Sequence, residues 1–144
     1  MNNGKEYSII NYSKNETTID KYSYKTGKKI KTILNSTDID SLKFNDYKFN
    51  STENKILLKV KSEPIYRYSE KSFVYAYDLK NQNLIKINDQ KISLPEFSPD
   101  GKMISYIYNN NVYIYNMFSG ETTMCTKDGQ KNKIIYGATD WVYE

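Results

Sequence analysis

Phe97-Ser98-Pro99-Asp100-Gly101-Lys102-Met103-Ile104-Ser105-Tyr106-Ile107-Tyr108 states the plan on which the rest of the chain is built. Proline fixes φ and glycine accepts positive φ, so Ser98 to Gly101 reads as a turn, and the alternating run from Met103 to Tyr108 reads as a strand. Asn109-Asn110-Asn111 reverses the chain into Val112-Tyr113-Ile114-Tyr115-Asn116-Met117, which is rich in β-branched and aromatic residues. Ser119-Gly120 turns it once more before Glu121-Thr122-Thr123-Met124-Cys125-Thr126. Two hairpins in succession make a meander.

The same plan appears upstream. Tyr47-Lys48-Phe49-Asn50-Ser51-Thr52 leads into Lys55 to Val60, then Phe73 to Leu79, then Leu84 to Ile87, with a long middle connection from Lys61 to Ser72. A partial first copy starts at Asn3-Gly4, runs through Tyr7 to Ile10 and Ile19 to Tyr24, and turns at Thr26-Gly27 into Ile30 to Ile33. A further copy begins near Ile134, and Thr37 to Phe44 suits a short helical or 3-10 turn between copies. Four-stranded units repeated at this spacing are blades of a β-propeller. The fold expected is therefore all-β, a partial propeller of about two and a half blades of antiparallel meanders. The units cover about 1–40, 45–90 and 94–127, with the start of the next at 132–144. A small β-sandwich or open sheet with a similar number of strands is the competing architecture.

Composition narrows the chemistry. A length of 144 residues permits one ordinary domain without requiring it. With 38% hydrophobic residues and 15 tyrosines, the chain has no apolar run of about 20 residues of the kind a membrane helix needs. Met1 to Glu6 lacks the basic start and apolar core of a signal peptide, so any export leader is expected to lie outside this chain. The net charge of +4 comes from lysines interleaved with aspartates and glutamates, the pattern of a solvated surface. Tyrosines alternating along strands pack sheets, whereas RNA-binding platforms group them beside basic residues, so no nucleic-acid partner is expected. Cys125 is the sole cysteine, which rules out an internal disulfide, and is read as a small strand-end residue. The chain has no histidine, so it cannot by itself carry a Ser-His-Asp triad. Neither catalytic residues, metal ligands nor a cofactor site are expected.

Arg67 is the only arginine among 21 basic residues. Its rigid, always-charged fork can hydrogen-bond a carbonyl or clamp a carboxylate, which a lysine does less well. It falls in the long middle connection, and loops in excess of structural need are often functional. A purely structural role competes: stacking between Tyr66 and Tyr68, or pairing with Glu63 or Glu70.

The segments Ile65-Tyr66-Arg67-Tyr68-Ser69, Lys21 to Gly27 and, most specifically, Asp140-Trp141-Val142-Tyr143-Glu144 resemble the dipeptidyl peptidase IV family, and the resemblance extends over nearly the whole chain. Asp140 to Glu144 is similar to the opening of the family's Asp-Trp-Val-Tyr-Glu-Glu-Glu run, whose later glutamates hold the free α-amine of a peptide substrate. Tyr68 stands where the family usually has His or Arg. The resemblance implies that Arg67 binds a carbonyl of the substrate backbone and that Glu144 flanks the amine site. It implies that Asp140, Trp141 and Tyr143 support that site, because a ligand site needs a shell that fixes its geometry. It further implies a fragment of a serine dipeptidyl aminopeptidase that removes Xaa-Pro or Xaa-Ala from free peptide N-termini. The nucleophile would lie in a Gly-x-Ser-x-Gly elbow on a C-terminal α/β-hydrolase domain absent from this chain. The whole protein is then expected to be exported, periplasmic or membrane-anchored, with a possible homodimer. The alternative function is a non-catalytic propeller that binds proteins or peptides.

Overall fold

The computed structural model describes residues 1–139 and contains three antiparallel sheets. Strands β1 (Glu6–Tyr12), β2 (Thr17–Ser23) and β3 (Lys29–Asn35) form the first, in sequence order. The second holds β4 (Asp46–Phe49), β5 (Lys55–Pro64), β6 (Glu70–Asp78) and β7 (Asn83–Lys86). The third holds β8 (Ser93–Phe97), β9 (Met103–Tyr108), β10 (Asn111–Asn116) and β11 (Thr122–Met124). Each is a simple meander, and together they form part of a β-propeller. A 3-10 turn at Ser36–Ile39, capped by Asn35, links the first sheet to the second.

The turns show the repeat atom by atom. Ser98 N donates to Met103 O at 2.9 Å and Gly101 N donates to Ser98 O at 2.8 Å. One sheet earlier, Asn50 N donates to Lys55 O at 3.1 Å and Glu53 N donates to Asn50 O at 3.0 Å. The Ser98 hydroxyl accepts from Met103 N at 3.0 Å, and the Asn50 side-chain oxygen accepts from Lys55 N at 2.9 Å. Gly101 has φ +68° and Glu53 has φ 55° in the matching place. Adjacent turns also touch, since the Ser51 hydroxyl donates to Pro99 O at 2.7 Å. The Asn2 side chain donates likewise to Ser51 O at 2.6 Å. One turn motif, shared by the second and third sheets and joined by the N-terminal turn through Asn2, links the three sheets along one rim.

Burial explains the sequence of the middle sheet. In β5, Ile56, Leu58 and Val60 pack with Ile19 and Leu34 of the first sheet, whereas Leu57, between them, packs with Ile104 and Tyr106 of the third. Strand β6 divides the same way, with Tyr77 on one side and Val74 and Ala76 on the other. A strand covered on both faces reads as an apolar run in place of a clean alternation. Burying a side chain of this size stabilises by roughly 1.5–3 kcal/mol, so the two cores of eight buried residues each dominate the fold. Ser72 and Ile92 exchange backbone hydrogen bonds of 3.0 and 2.9 Å, tying the second sheet to the third.

One expectation is corrected here. Lys61 to Ser72 is not a long connection: after a bulge at which Lys61 takes φ 52°, pairing resumes with Glu63 opposite Lys71 and Pro64 opposite Glu70. Residues 65–69 alone form the loop. Lys61-Ser62-Glu63 carries no apolar alternation because this extension projects beyond both cores, so its strand character left no hydrophobic trace.

Candidate functional site

The β5–β6 hairpin is the longest in the chain, and its tip carries Arg67. Ile65 N and Tyr66 N both donate to Ser69 O, at 2.8 and 3.3 Å, which closes the tip and leaves Tyr66, Arg67 and Tyr68 exposed. The carboxylates that might have held Arg67 are engaged elsewhere. Glu63 pairs with Lys91 at 2.5 Å and Lys71 at 3.2 Å, and Glu70 pairs with Lys59 at 2.8 Å. The hydrogen bonds from Lys91 and Lys71 hold the Glu63 carboxyl below its ordinary pKa. Burial alone would lower the pKa of Lys59, but its hydrogen bonds to Glu70 and Asp46 outweigh burial and raise it. Among the described residues no carboxylate lies within ion-pair distance of Arg67.

A cavity of about 1040 Å³ opens beside this tip. Pro64, Ile65, Tyr66 and Tyr68 of the hairpin tip line it, as do Ile107, Asn109 and Asn110 around the β9–β10 turn. Leu94, on a bulge of β8 with φ 49°, and Phe73 line it as well. Lys91 lies 5.4 Å above the Phe73 ring, so a cation is held at the edge of an apolar surface. Ile135, Ala138 and Thr139 complete the lining from the C-terminal segment. Arg67 itself is not among the lining residues, although Tyr66 and Tyr68, its neighbours in sequence, are.

Asp140, Trp141, Tyr143 and Glu144 lie outside the described residues. The structure does bring Thr139, the residue before them, onto the cavity that the Arg67 hairpin walls, although 72 residues separate Arg67 from Thr139 in sequence. The lining cations are Lys71, Lys91 and Lys131, and no carboxylate lines the cavity among the described residues. Lys71 and Lys91 are paired with Glu63, so the lining offers mainly aromatic and aliphatic surface with Lys131 as a further cation.

Residues 50–144 match the family model for the dipeptidyl peptidase IV N-terminal region. The chain belongs to the dipeptidyl peptidase IV family. It is similar to prolyl endopeptidase FAP of Homo sapiens, with 30% identity over 125 residues covering 85% of this chain and 16% of that protein. Against dipeptidyl peptidase 4 of Felis catus it is 34% identical over 105 residues, covering 69% of this chain and 13% of that one. The crystal structure of Porphyromonas gingivalis dipeptidyl peptidase 4 superposes with a TM-score of 0.88 at 34% identity, over 100% of this chain and 21% of the other. The chain thus spans about a sixth of the length of the curated relative FAP, 16%. Family membership and the propeller fold are common ground between sequence and structure.

Asn111 escaped the sequence reading. Three consecutive asparagines were assigned to one reversal, but the turn uses only Asn109 and Asn110, with φ of 48° and 62°, and Asn111 opens β10. A two-residue hairpin turn with both positions at positive φ leaves the third asparagine unexplained. That surplus was the available signal.

Proposed function

We propose that this chain is the substrate-facing part of the propeller of a serine dipeptidyl aminopeptidase, which removes Xaa-Pro or Xaa-Ala dipeptides from peptide N-termini. The observation that supports the reading is the shared cavity: Tyr66 and Tyr68, on either side of Arg67 in sequence, and Thr139, the residue before Asp140, line one space. Arg67 binds a backbone carbonyl of the peptide, Tyr66 and Tyr68 flank it, and Glu144 stands at the edge of the amine site with Asp140, Trp141 and Tyr143 as its support. Carboxylates facing an ammonium in a partly desolvated cavity form charge-assisted hydrogen bonds, and they exclude a substrate whose N-terminus is extended. A peptidase can measure two residues in this way.

Bond cleavage falls to a C-terminal hydrolase domain with its Ser, Asp and His, because this chain has no histidine to accept the nucleophile's proton. The propeller's part is to admit, orient and hold the peptide, which lowers the entropic cost of bringing the scissile bond to the serine. We assign the whole protein to the exported, periplasmic or membrane-anchored peptidases, with a homodimer as its assembly.

Substituting Arg67 by Ala or by Lys in the peptidase that carries this chain tests the assignment. Loss of a hydrogen bond from a charged group costs about 1.5–3 kcal/mol, so Arg67→Ala should lower kcat/KM about 10- to 100-fold with the fold intact. Arg67→Lys should recover part of the loss. Unchanged turnover removes Arg67 from the site.

A further inference from the structure

We propose that Asn111 is a positioning residue of this cavity: it pins residues 126–139 to the tip of the β9–β10 hairpin and so places the part of the lining that this segment contributes beside Tyr66 and Tyr68. What that lining does rests on the peptidase reading; the pinning is a property of this chain alone. Asn111 is 5% exposed, and its side chain bonds two backbone groups and one hydroxyl. Its Nδ2 donates to Asn109 O at 3.1 Å, and its Oδ1 accepts from Gly129 N at 2.9 Å and from the Thr126 hydroxyl at 3.0 Å. That hydroxyl in turn accepts from Val112 N at 3.0 Å, so its single donor is committed to Asn111. The neighbouring Asn110 O accepts from Tyr136 N at 3.1 Å. The returning segment is therefore fastened at two places by consecutive residues of one hairpin.

Close approach makes the fastening specific. A Cβ at Gly129 would lie 2.3 Å from Asn110 O, so the segment passes the turn with backbone against backbone. Gly137, at φ +75°, sits where a Cβ would come within 3.1 Å of the Ile107 and Val112 side chains. Lys131, Asn132 and Ile135 lie between these contacts, and Ala138 and Thr139 follow them; all five line the cavity. Asparagine is depleted in strands because it has little to pack on a pleated surface, and at the start of β10 its place is justified by the hydrogen bonds it makes across the segment. With that side chain gone, Gly129 N and the Thr126 hydroxyl lose their acceptor, and that part of the lining is free to move relative to the Arg67 hairpin.

The test compares Asn111→Ala with Asn111→Asp in the peptidase carrying this chain. Asp keeps an oxygen that can accept from Gly129 and Thr126, but it sets a second acceptor oxygen against Asn109 O and adds a charge at a buried position. In Asn111→Ala the Gly129 and Tyr136 amides should exchange about tenfold faster, and KM for an Xaa-Pro amide should rise about tenfold with kcat within about twofold. Asn111→Asp, which retains the acceptor, should leave the Gly129 amide exchanging more slowly than in Asn111→Ala. Should Asn111→Ala fail to fold, Thr126→Val removes the hydroxyl that donates to Asn111, together with the acceptor of Val112 N, and should shift both readouts in the same direction. Unchanged exchange in the variants overturns the pinning. Accelerated exchange with unchanged KM overturns the positioning role. If the parent does not turn over the Xaa-Pro amide at all, the peptidase reading fails while amide exchange still decides whether Asn111 holds the segment.

Discussion

Asp20 shows how much one residue can carry on the face of a sheet. It is 4% exposed and accepts from Asn11 at 2.9 Å, the Thr32 hydroxyl at 2.8 Å, the Thr18 hydroxyl at 3.3 Å and Lys29 at 2.8 Å. Burial by itself would raise the Asp20 pKa, but the hydrogen bonds from Lys29, Thr32 and Asn11 prevail and lower it. A carboxyl whose folded pKa is depressed contributes stability above its unfolded pKa, about 3.9, and that contribution is lost as pH falls through the folded value. Denaturant midpoints measured from pH 6 downward should fall more steeply for the parent than for Asp20→Asn, and the two curves should converge at the acid end. Parallel curves would contradict the assignment. At neutral pH, Asp20→Ala leaves four side-chain donors without their acceptor and should cost about 1–3 kcal/mol. Arg67 was legible at this scale as the lone arginine; Asn111 was not, because composition cannot say which of three identical neighbours leaves the turn.

At the scale of the element, turns were legible in position with or without glycine, but the residue that takes positive φ was legible only where glycine marked it. Ser98-Pro99-Asp100-Gly101 announces its geometry, while the equivalent turn at Asn50 to Glu53 puts a glutamate at φ 55° and gave no such signal. The β5–β6 extension was hidden for a related reason: a hairpin that leaves the core has no buried face to impose a period. Two glycines in the same φ range separate strain from crowding. At Gly27, with φ +64°, a Cβ would meet nothing within 4 Å; at Gly101, with φ +68°, it would lie 2.7 Å from the buried Asn50 amide. Gly27→Ala should therefore cost only the left-handed penalty of about 1–2 kcal/mol. Gly101→Ala should cost about 1–3 kcal/mol beyond that, because Asn50 must shift and its hydrogen bonds to the Asn54 and Lys55 amides loosen. Urea midpoints of the two variants measure the difference, and equal losses would show that the turns are not tightly docked.

For the whole molecule, the two cores lie between three sheets, so the outward faces of the first and third have no sheet against them among the described residues. Ile9 and Ile30 on one, and Met103 and Ile114 on the other, are 37–49% exposed. Tyr7, on the same face as Ile9, stacks on Tyr22 with ring centroids 5.5 Å apart, an aromatic surface open to solvent. Exposed apolar faces and unpaired strand edges favour association, so the 144-residue chain expressed alone should sediment as soluble oligomers or aggregate. A cooperative melt of soluble monomer would contradict this. The propeller was readable because its repeat is written into turns and strands, whereas the site depends on segments far apart in sequence meeting at one cavity. The central claim is that this cavity receives a free peptide N-terminus, and the most direct measurement compares turnover of an Xaa-Pro amide with that of the same compound acetylated on its α-amine, using the peptidase that carries this chain. Rapid release from the free amine and none from the acetylated one is the predicted result; equal turnover of the two would show that the cavity does not read the amine and that the account of the site is wrong.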